Sequence, residues 1–231
     1  MSVFKLNLEL LSDTLIGSGE GWGAIIDNDI VFDDFGLPYI PARRVKGCLR
    51  ESAFEVMEMF EQSGIGFASR GDIGTLFGKP GQSESGALSF SNCYLGDYSL
   101  NKQWIEWLIS EYPDIFSKDA ILDTFTSIRQ QTAVNKNEDQ DSSTKKGVAE
   151  KASLRTSRVL DKGIKFSGSI ESSFELENRL FDFLVFAARN LRYMGTNRNR
   201  GLGSVLCTLT DESRYTCDES LKNLELKVTE G

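Results

Sequence analysis

The chain has 231 residues, 40% of them hydrophobic, enough to bury one substantial core. Its 34 acidic residues outweigh 26 basic ones, and the formal net charge of -8 argues against a surface generally coated by nucleic acid, so any anion site must be a local basic patch. There is no histidine, which removes the commonest general base, the commonest metal ligand and every His-containing catalytic pair.

Residues 3 to 11 set Phe4, Leu6, Leu8 and Leu10 against Val3, Lys5, Asn7 and Glu9, the alternation of a strand with one buried face. This start lacks the charged head and apolar core of a signal sequence. No apolar run approaches the ~20 residues needed to cross a bilayer, so a cytoplasmic protein with no membrane partner is expected. "IGSGEGWGAIID" is a glycine-rich loop leading through "NDIVFDD" to "FGLPYIP", an extended ribbon with a turn at Asp34–Gly36. From Arg43 the period turns helical: Val45, Leu49, Ala53, Val56 and Phe60 recur at spacings of three and four, with Pro41 as a start signal and Gly64 as a stop. On the other side of its first turns lie Arg43, Lys46 and Arg50.

A strand is expected over Ala87–Leu95. "NKQWIEWLISEYPDIF" follows as a short helix whose Trp104 and Trp107 are expected in the core rather than on a base-stacking platform. Residues 136–151 have almost no apolar content and read as a mobile loop. On either side, "TSIRQQTAV" and "SLRTSRVLDKGIKFSGSIESS" could pair as a long hairpin. Leu180, Leu184, Ala187, Ala188 and Leu191 mark a second amphipathic helix, and "GSVLCTLT" the last strand. The order is that of a split strand-helix-strand, ferredoxin-like fold of the α+β class. One domain is expected over 1–231, with an insertion at about 127–170. The four cysteines, Cys48, Cys93, Cys207 and Cys217, form no Cys-x-x-Cys pair, so neither a zinc site nor a disulfide framework is indicated.

Three constellations carry chemistry. In "RNRGLGS", Gly201 and Gly203 permit close backbone approach while Arg198 and Arg200 offer bonds to phosphate; it reads equally as a tight turn with solvated arginines. It has neither a Walker sequence nor a dinucleotide fingerprint, which disfavours a stand-alone nucleotide-binding enzyme. In "PARRVKGCLR" a basic face coincides with a helix N-terminus, an attractor of anions or simply the wet side of the helix. Asp27, with Asp29 and Asp33 at strand spacing beyond it, could hold a divalent cation, remove a proton, or only shape turns.

In order along the chain, the first strand into "IGSG", "DNDIVFDDFGLPYIPARRVKGCLRE", "LFGKPGQSESGALSFSNCYL", "SLRTSRVLDKGIKFSGSI" and "NRNRGLGSV" resemble the RAMP superfamily, and most closely the repeated, target-RNA-cutting backbone subunit of type III CRISPR effector complexes. The resemblance implies two ferredoxin-like, RRM-like elements or one elaborated one, with guide RNA along the sheet face. It also implies a thumb, at 127–135 and 152–170, that crosses the guide–target duplex. The implied partners are guide RNA, single-stranded target RNA, other RAMP subunits and the large subunit of the complex. It places Asp27 at the catalytic position, with Mg2+ as the expected cofactor, and assigns RNA contacts to Arg43, Arg44, Lys46, Arg50, Arg155, Arg158, Asn197, Arg198, Arg200, Gly201 and Gly203. The alternative it leaves is a non-catalytic, structural RNA-binding subunit. Where such proteins often have small residues this chain has Ala42-Arg43-Arg44, and Gly195-Thr196 stands for a frequent glycine pair.

Overall fold

The alternation at the start of the chain is strand β1 (Ser2–Leu10): Phe4, Leu6, Leu8 and Leu10 are fully buried while Val3 and Lys5 face solvent. The computed structural model describes residues 2–19, 26–79, 85–132, 154–211 and 220–222; the expected mobile loop 136–151 and Cys217 lie outside them.

Helix α1 (Ala42–Gln62) buries Val45, Leu49, Ala53, Val56 and Met57, the face its spacing predicts, and ends before Gly64, whose φ of 75° a glycine adopts readily. Helix α2 (Arg70–Phe77) starts on a reciprocal cap between Ser69 and Asp72. Strands β2 (Leu88–Phe90) and β3 (Tyr94–Leu95) replace the single strand expected over Ala87–Leu95. The break comes at Cys93, whose backbone exchanges two 2.9 Å hydrogen bonds with Ile40 instead of continuing along the sheet.

Next come α3 (Tyr98–Glu111), α4 (Lys118–Asp123), β4 (Thr126–Gln131), β5 (Arg155–Leu160), β6 (Lys165–Ser172), α5 (Asn178–Asn190) and β7 (Val205–Thr210). The main sheet runs β2-β6-β1-β7, with β3 also on β6. β1 is antiparallel to both neighbours, Leu8 lying opposite Phe166 on one side and Cys207 on the other. With α1 leading from β1 to β2 and α5 from β6 to β7, this is the split strand-helix-strand arrangement of an α+β, ferredoxin-like core. Both helices cover one face. Leu180 to Ala188 are buried without interruption along α5, the Phe181 ring lies 5.2 Å from that of Phe4, and Ser52 Oγ of α1 donates to Ala187 O at 2.8 Å.

Strands β4 and β5 form a separate two-stranded sheet, Thr126 opposite Leu160 and Gln131 opposite Arg155. β6 does not belong to it. The chain turns at Asp161–Gly163 and returns to pair with β1, so the two-stranded piece ends at Leu160, short of the expected 170.

The tryptophan expectation is overturned. Trp104 and Trp107 are 58% and 47% exposed, and α3 contains no buried residue. Their helical spacing is real, but the stripe they make faces outward.

Candidate nucleic-acid interface

Strand β5 organises the site, because the loop carrying Asp27 is laid along it. Asp27 N–H and Asn28 N–H both donate to Thr156 O, at 2.9 and 3.3 Å, and Arg158 N–H donates to Asn28 O at 3.0 Å. In return Thr156 N–H donates to Asp27 Oδ2 at 2.7 Å, and Asn28 Nδ2 donates to Ser157 Oγ at 3.3 Å. Asp27 is exposed. Its carboxylate is thus held in one direction against the β4–β5 sheet, at the end where Gln130 pairs with Thr156, yet open to solvent.

The expected trio of aspartates is not gathered. Asp29 is buried, accepts from Ile30 N–H at 2.8 Å and faces Arg158, with Arg158 Nε 3.7 Å from Asp29 Oδ1. Asp33 accepts from Phe35 N–H and Leu37 N–H at 2.9 Å each and from Tyr98 OH at 2.7 Å, which makes it the turn residue of the other reading. Burial, then this bond to Asp33, raises the Tyr98 pKa, so its hydroxyl stays a donor. Among the described residues no group of three or more carboxylates or thiols converges to hold a metal. Asp27 can give a divalent cation one carboxylate, so this chain's residues do not by themselves fit a Mg2+ cage.

The expected basic residues divide into three kinds. Arg43 and Arg44 are exposed on the first turn of α1, with Arg44 Nη2 donating to Gly17 O at 3.2 Å, and Arg155 is exposed on β5 immediately before Thr156. Lys46 and Arg50 are half-buried, and the Arg50 guanidinium lies 5.5 Å from the centre of the Phe54 ring. Arg158 departs from expectation: its side chain is 7% exposed and turned to Asp29, so it fastens the Asp27 loop to β5 rather than offering itself to phosphate.

The glycine-rich turn combines anchoring with exposure. Arg198–Arg200 form a single 3-10 turn between Asn197 and Gly201, both left-handed. Arg198 Nε donates to Gly195 O at 3.0 Å and its Nη1 lies 3.9 Å from Glu51 Oε2, while Arg200 Nη1 donates to Gln131 Oε1 of β4 at 2.9 Å. Gly203, at φ 82°, would put a Cβ 2.2 Å from Met194 O, whereas a Cβ on Gly201 would meet nothing within 4 Å. Gly203 therefore serves backbone packing and Gly201 leaves an open surface. Arg198 also borders a half-open cleft of about 330 Å³ with Cys48, Glu51, Glu55, Asn190 and Tyr193. Burial raises the pKa of the Cys48 thiol there, against the opposing influence of Arg198, so the thiol is protonated and unreactive.

Sequence reasoning missed three partners: Thr156 N–H, Gln131, and Asn92, whose Oδ1 accepts from Ala42 N–H at 2.9 Å and caps α1. None carries a local signal, because each acts across tens of residues.

The model of the RAMP superfamily matches residues 7–206. The chain belongs to the RAMP superfamily. The matched span runs from β1 into β7 and contains the Asp27 loop, the two-stranded sheet and the glycine-rich turn of this RAMP chain. Among solved structures it resembles a chain of a type III-B Cmr-beta bound to cognate target RNA, at 13% identity and a TM-score of 0.61, covering 90% of this chain and 97% of that one. A chain of the apo state of type III-B Cmr-beta matches at 14% identity and a TM-score of 0.59, covering 91% and 98%. At these identities the likeness is one of fold. No curated protein sequence matches this RAMP chain.

Proposed function

We propose that this chain is a guide-RNA-binding subunit of a type III CRISPR effector complex and that it cuts the bound target RNA through Asp27. The observation that carries the reading is the exposed Asp27 carboxylate, tied by Thr156 N–H to the β4–β5 sheet at the end where Gln130 pairs with Thr156. That sheet is the counterpart of the thumb implied by the family. A side chain so fixed would stand where a thumb bends the target strand.

In the proposed reaction the ribose 2′-hydroxyl beside the cut attacks the neighbouring phosphorus. The 2′-oxygen-to-phosphorus bond forms, the bond from phosphorus to the 5′-oxygen breaks, the departing 5′-oxygen takes a proton from water, and the fragments end in a 2′,3′-cyclic phosphate and a 5′-hydroxyl. Asp27 accepts the 2′-hydroxyl proton, a role open to a carboxylate in a chain without histidine. Exposed Arg155, beside Thr156, and Arg43 and Arg44 at the start of α1 supply positive charge to phosphates. Arg198, Arg200 and the open Gly201 extend the backbone contact. A divalent cation brought with the RNA would find one carboxylate ligand in Asp27.

The structural-subunit reading has its own support, since the bond from Thr156 N–H already gives the Asp27 side chain a loop-shaping task. Sequencing the RNA that copurifies with the assembled complex tests the binding reading, which requires a repeat-derived guide. The ends of the cut target test the chemistry: a cyclic phosphate on the 5′ fragment is expected, and a free 3′-hydroxyl there would overturn the transesterification.

A further inference from the structure

Helix α3 carries an apolar stripe that the RNA site does not use. Leu100, Trp104 and Trp107 follow one another at spacings of four and three, and Tyr112 continues the row just past the helix end; each is about half exposed. The Trp104 and Trp107 rings meet edge to face with centres 5.9 Å apart, and Trp107 meets Tyr112 at the same distance. Four large side chains half uncovered present on the order of 400 Å² of contiguous apolar surface, as much as a monomer commonly leaves in its largest patch.

The charges around the stripe are one-sided. Between Asp97 and Asp123 there are six carboxylates, all exposed, among them Glu106, Glu111 and Asp114, against two lysines. Both lysines are engaged with the chain's own rings, Lys102 Nζ 5.1 Å from the centre of Phe35 and Lys118 Nζ 4.9 Å from that of Phe32. The exposed face therefore offers aromatic rings in a negative field. Stacked bases would bring their phosphates against those carboxylates, with no free cation among the described residues of this stretch to neutralise them. A second copy meeting the first through the same face would oppose carboxylate to carboxylate.

We propose that the α3 face is a protein-docking surface whose partner is a basic segment that alternates apolar side chains with lysine or arginine. The apolar side chains pack on Trp104 and Trp107 and the cations meet Glu106 and Glu111. The surface shares no residue with the Asp27 site.

The test titrates the intact chain with a short synthetic peptide alternating leucine with lysine and arginine, beside an oligouridylate RNA. Each is followed by anisotropy of a label on the ligand. Two variants are compared with the native chain: Trp104→Ala with Trp107→Ala, and Glu106→Lys with Glu111→Lys. Because these side chains are exposed, thermal melting of both variants should match the native protein. Each variant should weaken the peptide at least about tenfold, the effect expected of central aromatic or charge contacts, and leave RNA affinity unchanged. Peptide affinities within about twofold across all three proteins would overturn the proposal. So would loss of RNA rather than peptide on removing the tryptophans, which would make the stripe a stacking platform. Native self-association in sedimentation that disappears with the tryptophans would assign the face to a second copy instead.

Discussion

Arg158→Met tests whether the Asp27 loop is held by the buried charge pair. The side chains of Arg158 and Asp29 are each 7% exposed, and 3.7 Å is too long for a hydrogen bond, so the contact acts through charge. Methionine fills a similar volume but leaves the Asp29 carboxylate buried without its cation. Breaking a buried pair on one side costs about 3–5 kcal/mol; Asp29 keeps the N–H of Ile30, which puts the expected loss at the lower end, about 3 kcal/mol. For a domain of this size that corresponds to a fall of roughly 6–12 °C in Tm. Urea unfolding of the native chain, Arg158→Met, Asp29→Asn and the double variant closes a cycle in which the double variant should cost less than the sum of the singles by at least about 1 kcal/mol. In assembled complexes Arg158→Met should also slow target cutting, although Asp27 itself is untouched. A single-variant loss under about 1 kcal/mol, or strict additivity, would refute the fastening role of the pair.

Asp72 accepts from Nη2 and Nη1 of Arg179, at 3.0 and 3.1 Å, and the bond from Arg179, more than the caps from Ser69, lowers its pKa to about 2. A lowered folded pKa gives stability that is complete above the unfolded carboxylate range, near pH 4, and is lost as pH falls toward 2, so the Tm gap between native protein and Asp72→Asn should be full at pH 6 and shrink below pH 4. Gly203→Ala should destabilise by more than about 2 kcal/mol in urea, through its φ and the clash with Met194 O, whereas Gly201→Ala, which meets nothing, should cost about 1 kcal/mol. Arg43→Ala with Arg44→Ala should weaken RNA binding across sequences and flatten its salt dependence by about one counterion per lost contact, an unchanged slope returning these arginines to the solvated face of α1.

The parts of the fold legible in the sequence are those in which a local period coincides with burial. Alternation in Phe4–Leu10 and the three-four spacing of Val45–Val56 and Leu180–Ala188 locate the strand and the two helices that enclose the core. Periodicity says which residues share a face and not which way that face turns, and so Trp104 and Trp107 are aligned as expected but point outward. Asp161-Lys162-Gly163 marks a turn after Leu160, but a turn signal does not say whether β6 folds back on β5 or leaves it; only the pairing of Phe166 and Ile170 with β1 separates the two. At the site, Asp27 could be singled out from its loop. Its fixation by Thr156, and the burial of Arg158 against Asp29, depend on segments 129 residues apart, and no spacing within either segment encodes them. The same holds for the glycines of "RNRGLGS": their φ values above 75° follow from turn composition, but that Gly203 packs on Met194 while Gly201 stays open required the fold.

The most direct measurement of the central claim compares Asp27→Asn with Asp27→Ala in assembled complexes, following cutting of an end-labelled matched RNA and its binding in parallel. Asparagine can still accept the bond from Thr156 N–H but cannot take a proton as a carboxylate does, whereas alanine also gives up that bond, at about 1 kcal/mol of stability. Both variants should load guide and bind target as the native complex does, and both should cut at least about 100-fold more slowly, the scale of a lost general base. Native cutting by Asp27→Asn would contradict the catalytic role, and if Asp27→Ala alone then lost activity, the side chain would be a structural anchor of its loop.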